Sequence, residues 1–112
     1  MITAEELRKI KKTQYNNYEN YLQMLLSTKS EEIQTKLIKA AEDQLNSVRI
    51  FIDTDPIPET NAVYTLIPEV VRIFYAGYGF KEVSVYKYIV HGSTIKGFEL
   101  YFNWEEKEKK KK

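Results

Sequence analysis

The segment 80–104, FKEVSVYKYIVHGSTIKGFELYFNW, carries alternating apolar and polar residues on both sides of the short stretch His91-Gly92-Ser93-Thr94. Alternation with a period of two is typical of β-strands that bury one face, and Gly92-Ser93 has the composition of a two-residue hairpin loop. This loop predicts the cross-strand pairs Val83 with Phe102, Val85 with Leu100, Tyr86 with Glu99, and Tyr88 with Gly97. The apolar residues of both strands then share one face, which a shift of one residue would prevent.

The N-terminal part of the chain predicts two helices. Thr3 and Glu6 have the spacing of a capping box, and helical spacing of apolar residues continues to Leu25. A second helical pattern covers 31–45, and two helices joined by so short a turn are expected to lie antiparallel. The first half of the opening helix, 8–17, carries basic side chains and little apolar surface. We therefore expect that half to project from the domain or to contact another chain, with a solvated basic face of a surface helix as the alternative to a binding surface.

The middle of the chain predicts a strand, a loop and a helix. The segment 48–52 alternates as a strand, and the prolines of 53–58 indicate a stiffened loop. Helical spacing follows over 59–76, but Pro68 interrupts it and removes a backbone hydrogen-bond donor. We therefore expect a short turn near 61–64 and a helix over 66–76 that ends at Gly77, with one kinked helix as the alternative.

This order of elements predicts an α+β fold. Two N-terminal antiparallel helices are followed by a β-α-β-β unit. A strand, a crossover helix and a second strand normally form a right-handed parallel pair, and the hairpin then adds an antiparallel neighbour. We expect a three-stranded mixed sheet with the helices on one face, in a single domain over residues 1–104. The charged C-terminal tail, 105–112, has no apolar surface to bury.

Composition limits the functional classes. The chain has 112 residues, of which 43% are hydrophobic, and its formal net charge of +1 does not require a polyanionic partner. The absence of cysteine excludes a disulfide framework and a thiolate nucleophile within the chain. No apolar run approaches the length of about 20 residues that spans a bilayer, and no secretory signal is recognised. We expect a cytoplasmic protein without a membrane partner.

No residue pattern in the sequence indicates catalysis. His91 is the single histidine and lies in the predicted hairpin loop, where a solvated turn residue is expected. Asp53 and Asp55 lack a third oxygen ligand at a defined spacing, so they do not predict a metal site. The glycines of Gly77-Tyr78-Gly79 are not followed by a phosphate-binding lysine and indicate a helix exit. We expect no enzyme activity, no cofactor and no metal.

Aromatic residues indicate two candidate contact surfaces. The candidates on the sheet face opposite the helices are Arg49, Phe51, Tyr86, Tyr88 and Tyr101. The candidates on an oligomer-forming helix are Tyr15, Tyr18, Tyr21 and Leu22. Exposed aromatic patches are typical of protein interfaces, and stacking on aromatic sheets is also how many single-stranded nucleic acids are bound. An ordinary surface rich in strand-forming tyrosines is a third interpretation.

Parts of the sequence are similar in pattern to a group of viral proteins. The segments that carry the likeness are 38–42, IKAAE, leading into 47–50, SVRI; 77–83, GYGFKEV; and 102–104, FNW. Together they resemble short accessory proteins of tailed bacteriophages, from which the chain departs at Pro68 and in the loop 53–60. The resemblance implies a phage-encoded protein in the infected host cytoplasm or the virion, and it transfers no catalytic residues.

Two functional hypotheses follow from the sequence. The first is a non-enzymatic protein that forms a homo-oligomer and binds a protein partner, which the phage resemblance implies to be a viral or host component. The second is a protein that binds, and thereby sequesters, a nucleotide or nucleic acid on the aromatic sheet face.

Overall fold

The computed structural model describes residues 1–105, with the backbone but not the side chains of residues 11–16. Within these residues the chain forms three helices and three strands, which confirms the α+β class. Their bounds are α1 Ala4–Thr28, α2 Ser30–Glu42, β1 Ser47–Pro58, α3 Asn61–Phe74, β2 Glu82–His91 and β3 Thr94–Asn103. None of the helices in this part of the chain is long and apolar enough to cross a membrane.

The sheet is antiparallel throughout, with the strand order β1-β3-β2. The predicted mixed sheet is therefore wrong. β1 and β2 do run in the same direction, as the crossover helix α3 predicted, but β3 lies between them and pairs with both. β3 is the strand with the most completely buried side chains, among them Phe98, Leu100 and Phe102. In the central position the side chains of β3 have neighbours from both adjacent strands, which helps to remove them from water.

One hydrophobic core lies between the helices and one face of the sheet. The helices contribute Leu22 and Leu26 from α1, Ile33 from α2, and Val63, Leu66, Ile67, Val70 and Val71 from α3. The sheet contributes Ile50, Ile52 and Ile57 from β1 and Ile95, Phe98, Leu100 and Phe102 from β3. The alternating burial of β3 explains how one strand supplies so much of this core.

The two N-terminal helices do not form the predicted antiparallel pair. Only Lys29 separates α1 from α2, and its backbone angles, φ −86° and ψ −1°, lie in the right-handed helical region. α1 packs mainly against α3 and α2 packs against β1, while α1 and α2 contact one another little. A single near-helical residue cannot reverse the chain, so each helix packs on a different partner.

The helix ends follow from local hydrogen bonds. Thr3 caps α1 by accepting a hydrogen bond from the backbone N–H of Glu6 at 3.2 Å, as the capping-box spacing predicted. Thr60 caps α3 in the same way with the N–H of Val63. α3 is one helix that contains Pro68, so the predicted start near residue 66 is wrong and the alternative of a single helix is right.

β1 is longer than predicted. Residues 53–58 were expected to form a loop, but Ile57 pairs with Ile95 and Pro58 with Thr94 beyond an irregularity that follows Asp53. Ile57 is fully buried, so its side chain holds this segment against the core. Pro58 is tolerated because β1 is an edge strand, where a backbone N–H need not pair with a neighbour.

We predict that Pro68→Ala stabilises the protein. Pro68 lies in the interior of α3 and is exposed, and an alanine there donates an N–H to the carbonyl of Tyr64 without disturbing the core. The free energy of unfolding should rise by about 1–3 kcal/mol, measured by urea denaturation. Pro56→Ala is the control, because it relaxes the unfolded chain equally without restoring a helical hydrogen bond. Equal effects of the two substitutions would contradict the assignment to the helix.

Candidate functional site

The sheet face away from the helices carries aromatic and charged side chains. We call this surface the open face and define it by Arg49, Phe51, Tyr86, Lys87, Glu99 and Tyr101. Phe51 is 41% exposed and Tyr86 is 54% exposed. Val83, Val85 and Leu100 pack on the opposite side, in or against the core. The alternation in the sequence therefore assigned the faces of these three residues correctly.

The register of the hairpin differs from the predicted one over a short internal stretch. The loop Gly92-Ser93 is confirmed, as are the pairs Val83 with Phe102 and Val85 with Leu100. Beyond Val85, however, Lys87 rather than Tyr86 lies opposite Glu99. Tyr86 is therefore an extra residue in β2, and Lys96 is a compensating extra residue in β3. Two bulges thus shift the pairing by one residue and then restore it.

The first bulge moves Tyr88 away from the open face. Tyr88 pairs with Phe98, packs against the core, and places its ring 4.8 Å from that of Tyr64 in an edge-to-face contact. Burial raises the pKa of Tyr88. The prediction that Tyr88 belongs to the exposed surface is therefore wrong. The alternation of the sequence contains no signal for the bulge that causes this.

Charge is distributed across the open face in both signs. The guanidinium of Arg49 lies 4.6 Å from the centre of the Tyr86 ring, which is a cation–π contact that spans β3. Glu99 lies in the central strand with Phe51 on one side and Lys87 on the other. The half-buried Tyr101 accepts a hydrogen bond from the side-chain amide of Asn103 at 3.0 Å. The face combines an aromatic centre with both cationic and anionic groups.

Phe51 lies over a glycine of the central strand. A Cβ atom added to Gly97 would lie 2.7 Å from the carbonyl oxygen of Ile52 and 3.0 Å from Cζ of Phe51. The missing side chain at Gly97 therefore allows β1 to approach and allows the Phe51 ring to lie across β3. This arrangement fixes the position of the most apolar residue of the open face.

The candidate oligomer helix contributes mainly to the monomer. Leu22 is 2% exposed and lies in the core, and Tyr18 and Tyr21 pack against that core. The Tyr21 hydroxyl also accepts a hydrogen bond from the backbone N–H of Asp55 at 2.8 Å. The prediction that these residues are available to another subunit is corrected, because they hold α1 on its own domain. The side chain of Tyr15 lies outside the described residues.

The first turns of α1 are the part of this helix that stands away from the core. All residues from 1 to 10 are exposed, including Leu7 and Ile10, which are three residues apart on one side of the helix. The expectation of a projecting half concerned residues 8–17; of these, residues 8–10 and Asn17 are exposed, and the side chains of 11–16 lie outside the described residues.

The polar residues considered for chemistry remain apart from one another. His91 is exposed at the hairpin loop, and Asp53 and Asp55 lie in the irregular part of β1. Among the residues whose placement is described, no group of three or more histidines, aspartates or glutamates is positioned to hold a metal ion.

A second aromatic site lies at the exit of α3. A cleft of about 300 Å³ is formed between α2 and the α3–β2 connection. Its principal lining residues are Ile33, Leu37, Phe74, Tyr75, Tyr78 and Phe80. No functional role was predicted for these residues from the sequence. The available signal was local, since four aromatic residues occur within positions 74–80.

Tyr75 is the centre of this aromatic cluster, which we call the aromatic cleft. Its ring makes edge-to-face contacts with Phe74 at 4.9 Å and with Phe102 at 5.1 Å between ring centres. Its hydroxyl is buried and has no hydrogen-bond partner among the described residues. Burial raises the pKa of Tyr75 to about 12. The hydroxyl therefore remains a neutral hydrogen-bond donor at physiological pH.

We predict that Gly97→Ala destabilises the protein. The added methyl group must displace the backbone of β1 or force the two strands apart, which costs about 1–3 kcal/mol of unfolding free energy. Urea denaturation measures this change. Lys96→Ala is the control, because Lys96 is the exposed neighbour in the same strand. If Lys96→Ala lowers the unfolding free energy as much as Gly97→Ala does, the loss comes from disturbing the bulge and not from the close approach of β1 at Gly97.

We predict that Tyr75→Phe reduces the loss of stability in alkaline solution. The pKa of Tyr75 is about 12 in the folded protein and about 10 in the unfolded chain. The unfolded state releases this proton first, so the unfolding free energy of the wild type falls as the pH rises from about 10 to about 12. The variant lacks this contribution and should show a shallower fall. Denaturation across that interval measures both slopes, and identical slopes would contradict the assignment.

No protein-family model matches the chain, and comparisons with curated proteins and with solved structures likewise find no match. The chemistry of the open face and of the aromatic cleft is therefore the basis for interpreting function.

Proposed function

We propose that the protein is a non-enzymatic accessory protein that self-associates through the open face and binds a further viral or host component. The observation that carries this proposal is the exposure of Phe51 and Tyr86 on the sheet face opposite the helices. Large exposed aromatic side chains in a patch are typical of protein–protein contacts. Their burial against a second copy would remove this apolar surface from water.

The charges of the open face suit a two-fold symmetric contact. In such a contact the same patch meets itself, so each cation of one subunit can face an anion of the other. Arg49 and Lys87 supply positive charge, and Glu99 supplies negative charge between the aromatic residues. Because the open face carries charges of both signs, it can be complementary to a second copy of itself. A face that carried only one sign of charge would repel its copy.

The N-terminal turns of α1 support a second binding surface. A helix without tertiary contacts is only marginally stable in water, and most helical stability in proteins comes from packing of an apolar face. Leu7 and Ile10 have no such packing within the described part of the chain, where both are exposed. We propose that these turns contact the further component, whose viral or host origin is what the phage resemblance implies.

The alternative of nucleotide or nucleic-acid binding is less favoured by the geometry. Arg49 and Tyr86 offer a cationic aromatic site in principle, but they already contact one another. Tyr88 packs against the core, and Glu99 places negative charge at the centre of the face where phosphates would approach. We therefore retain protein binding as the proposed function.

The proposal predicts complementation between two charge variants. Glu99→Lys makes the charges of the open face positive, and the double substitution Arg49→Glu, Lys87→Glu makes them negative. Each variant should be monomeric by sedimentation velocity at high micromolar concentration because its copies repel, while the wild type associates. An equimolar mixture of the two variants should associate again.

The control is Ile38→Ser, which removes a comparably exposed apolar side chain from α2, outside the open face. It should leave association unchanged. A wild type that stays monomeric at high micromolar concentration would overturn self-association. Association of either charge variant alone would move the contact to another surface.

A further inference from the structure

We propose that the aromatic cleft is a binding site for a small, uncharged, planar molecule that carries a hydrogen-bond acceptor. The proposal is independent of self-association, because the cleft lies between α2 and the α3–β2 connection rather than on the open face. Its volume of about 300 Å³ is at the lower end of the range for small-molecule sites.

The lining of the cleft determines the charge of the ligand. The described lining consists of aromatic and aliphatic side chains together with Ser30 and Gln34, and it includes no ionisable group other than the two tyrosines. Three other clefts formed by described residues each include charged side chains, even though only 29% of the chain is charged. A charged ligand would lose hydration in the aromatic cleft without gaining a counter-charge, so an uncharged ligand is favoured.

The buried hydroxyl of Tyr75 determines the polar group of the ligand. A buried hydroxyl without a partner is unfavourable, and phenylalanine would fill the same space among Phe74, Phe80 and Phe102 without that cost. The hydroxyl is a neutral donor, so its complement is an acceptor atom such as a ring nitrogen or a carbonyl oxygen. A ligand with such an acceptor would give the Tyr75 hydroxyl its missing hydrogen-bond partner, and the hydroxyl would then contribute to recognition of that ligand.

The aromatic side chains determine the shape of the ligand. Tyr78 lines the cleft, is 69% exposed, and has its ring centre 6.1 Å from that of Tyr75. The positive φ angles of Gly77 and Gly79, +88° and +84°, form the turn that presents Tyr78. In this proposal the exposed Tyr78 ring turns aside, which uncovers the buried Tyr75 hydroxyl and admits a planar ligand that stacks against the Tyr78 ring. Ser30 and Gln34 offer further polar contacts at the α2 wall.

Quinoline and indole provide a matched test. Both are uncharged bicyclic aromatic molecules at neutral pH, but only quinoline has a ring-nitrogen acceptor. Each is titrated into the wild type and into Tyr75→Phe, with chemical shifts of the cleft residues followed by nuclear magnetic resonance. Quinoline should bind the wild type about five- to tenfold more tightly than the variant, as expected for one hydrogen bond, and indole should not discriminate.

Two further measurements separate a ligand site from a structural hydroxyl. Without quinoline, Tyr75→Phe should unfold at the same temperature as the wild type or at a higher one, because it loses only an unpaired polar group. Tyr88→Phe is the control, since it makes the same change at a half-buried tyrosine that does not line the cleft, and it should bind quinoline as the wild type does. Equal quinoline affinity of the wild type and Tyr75→Phe, or shifts confined to residues outside the cleft, would overturn the proposal.

Discussion

The burial of β3 governs how the other strands and the helices are arranged. Its side chains Phe98, Leu100 and Phe102 are fully buried, and they can be so only if both neighbouring strands and the helices cover them. This requirement places β1 and β2 on the two edges of the sheet and brings all three described helices to one face. It also leaves the other face without a helical layer, which is why Phe51 and Tyr86 are exposed.

Small departures from regular pairing decide which aromatic residues are accessible. The bulges at Tyr86 and Lys96 compensate one another, so the hairpin begins and ends in the register that its loop requires. Between them the side-chain alternation is reversed, which turns Tyr88 toward Tyr64 and leaves Tyr86 beside Arg49. A bulge places two consecutive residues opposite one partner residue, so it redirects side chains without changing the overall topology.

The two aromatic regions of the molecule differ in their electrostatic character. On the open face, aromatic rings lie beside the charged side chains of Arg49, Lys87 and Glu99. Protein–protein interfaces commonly combine aromatic and polar residues in this way. The described lining of the aromatic cleft has no side chain that is charged at neutral pH, and the Tyr75 hydroxyl there has no described partner. Because of this contrast we propose different kinds of partner for them, a second protein surface for the open face and a small uncharged molecule for the aromatic cleft.

Local patterns in the sequence were sufficient to predict the α+β class, the hairpin loop, the Thr3 cap and the exposure of Phe51 and Tyr86, because each depends on short-range periodicity or on local hydrogen bonds. The predicted end of α3 at Gly77 is wrong, since the helix ends at Phe74 with Tyr75 as its C-cap, although Gly77 does adopt a positive φ in the turn that follows. No local pattern predicted the insertion of β3 between β1 and β2, the two bulges or the grouping of Tyr75 with Phe102. They depend on contacts between residues distant in the chain, where the competition for burial among alternative strand neighbours leaves no local trace.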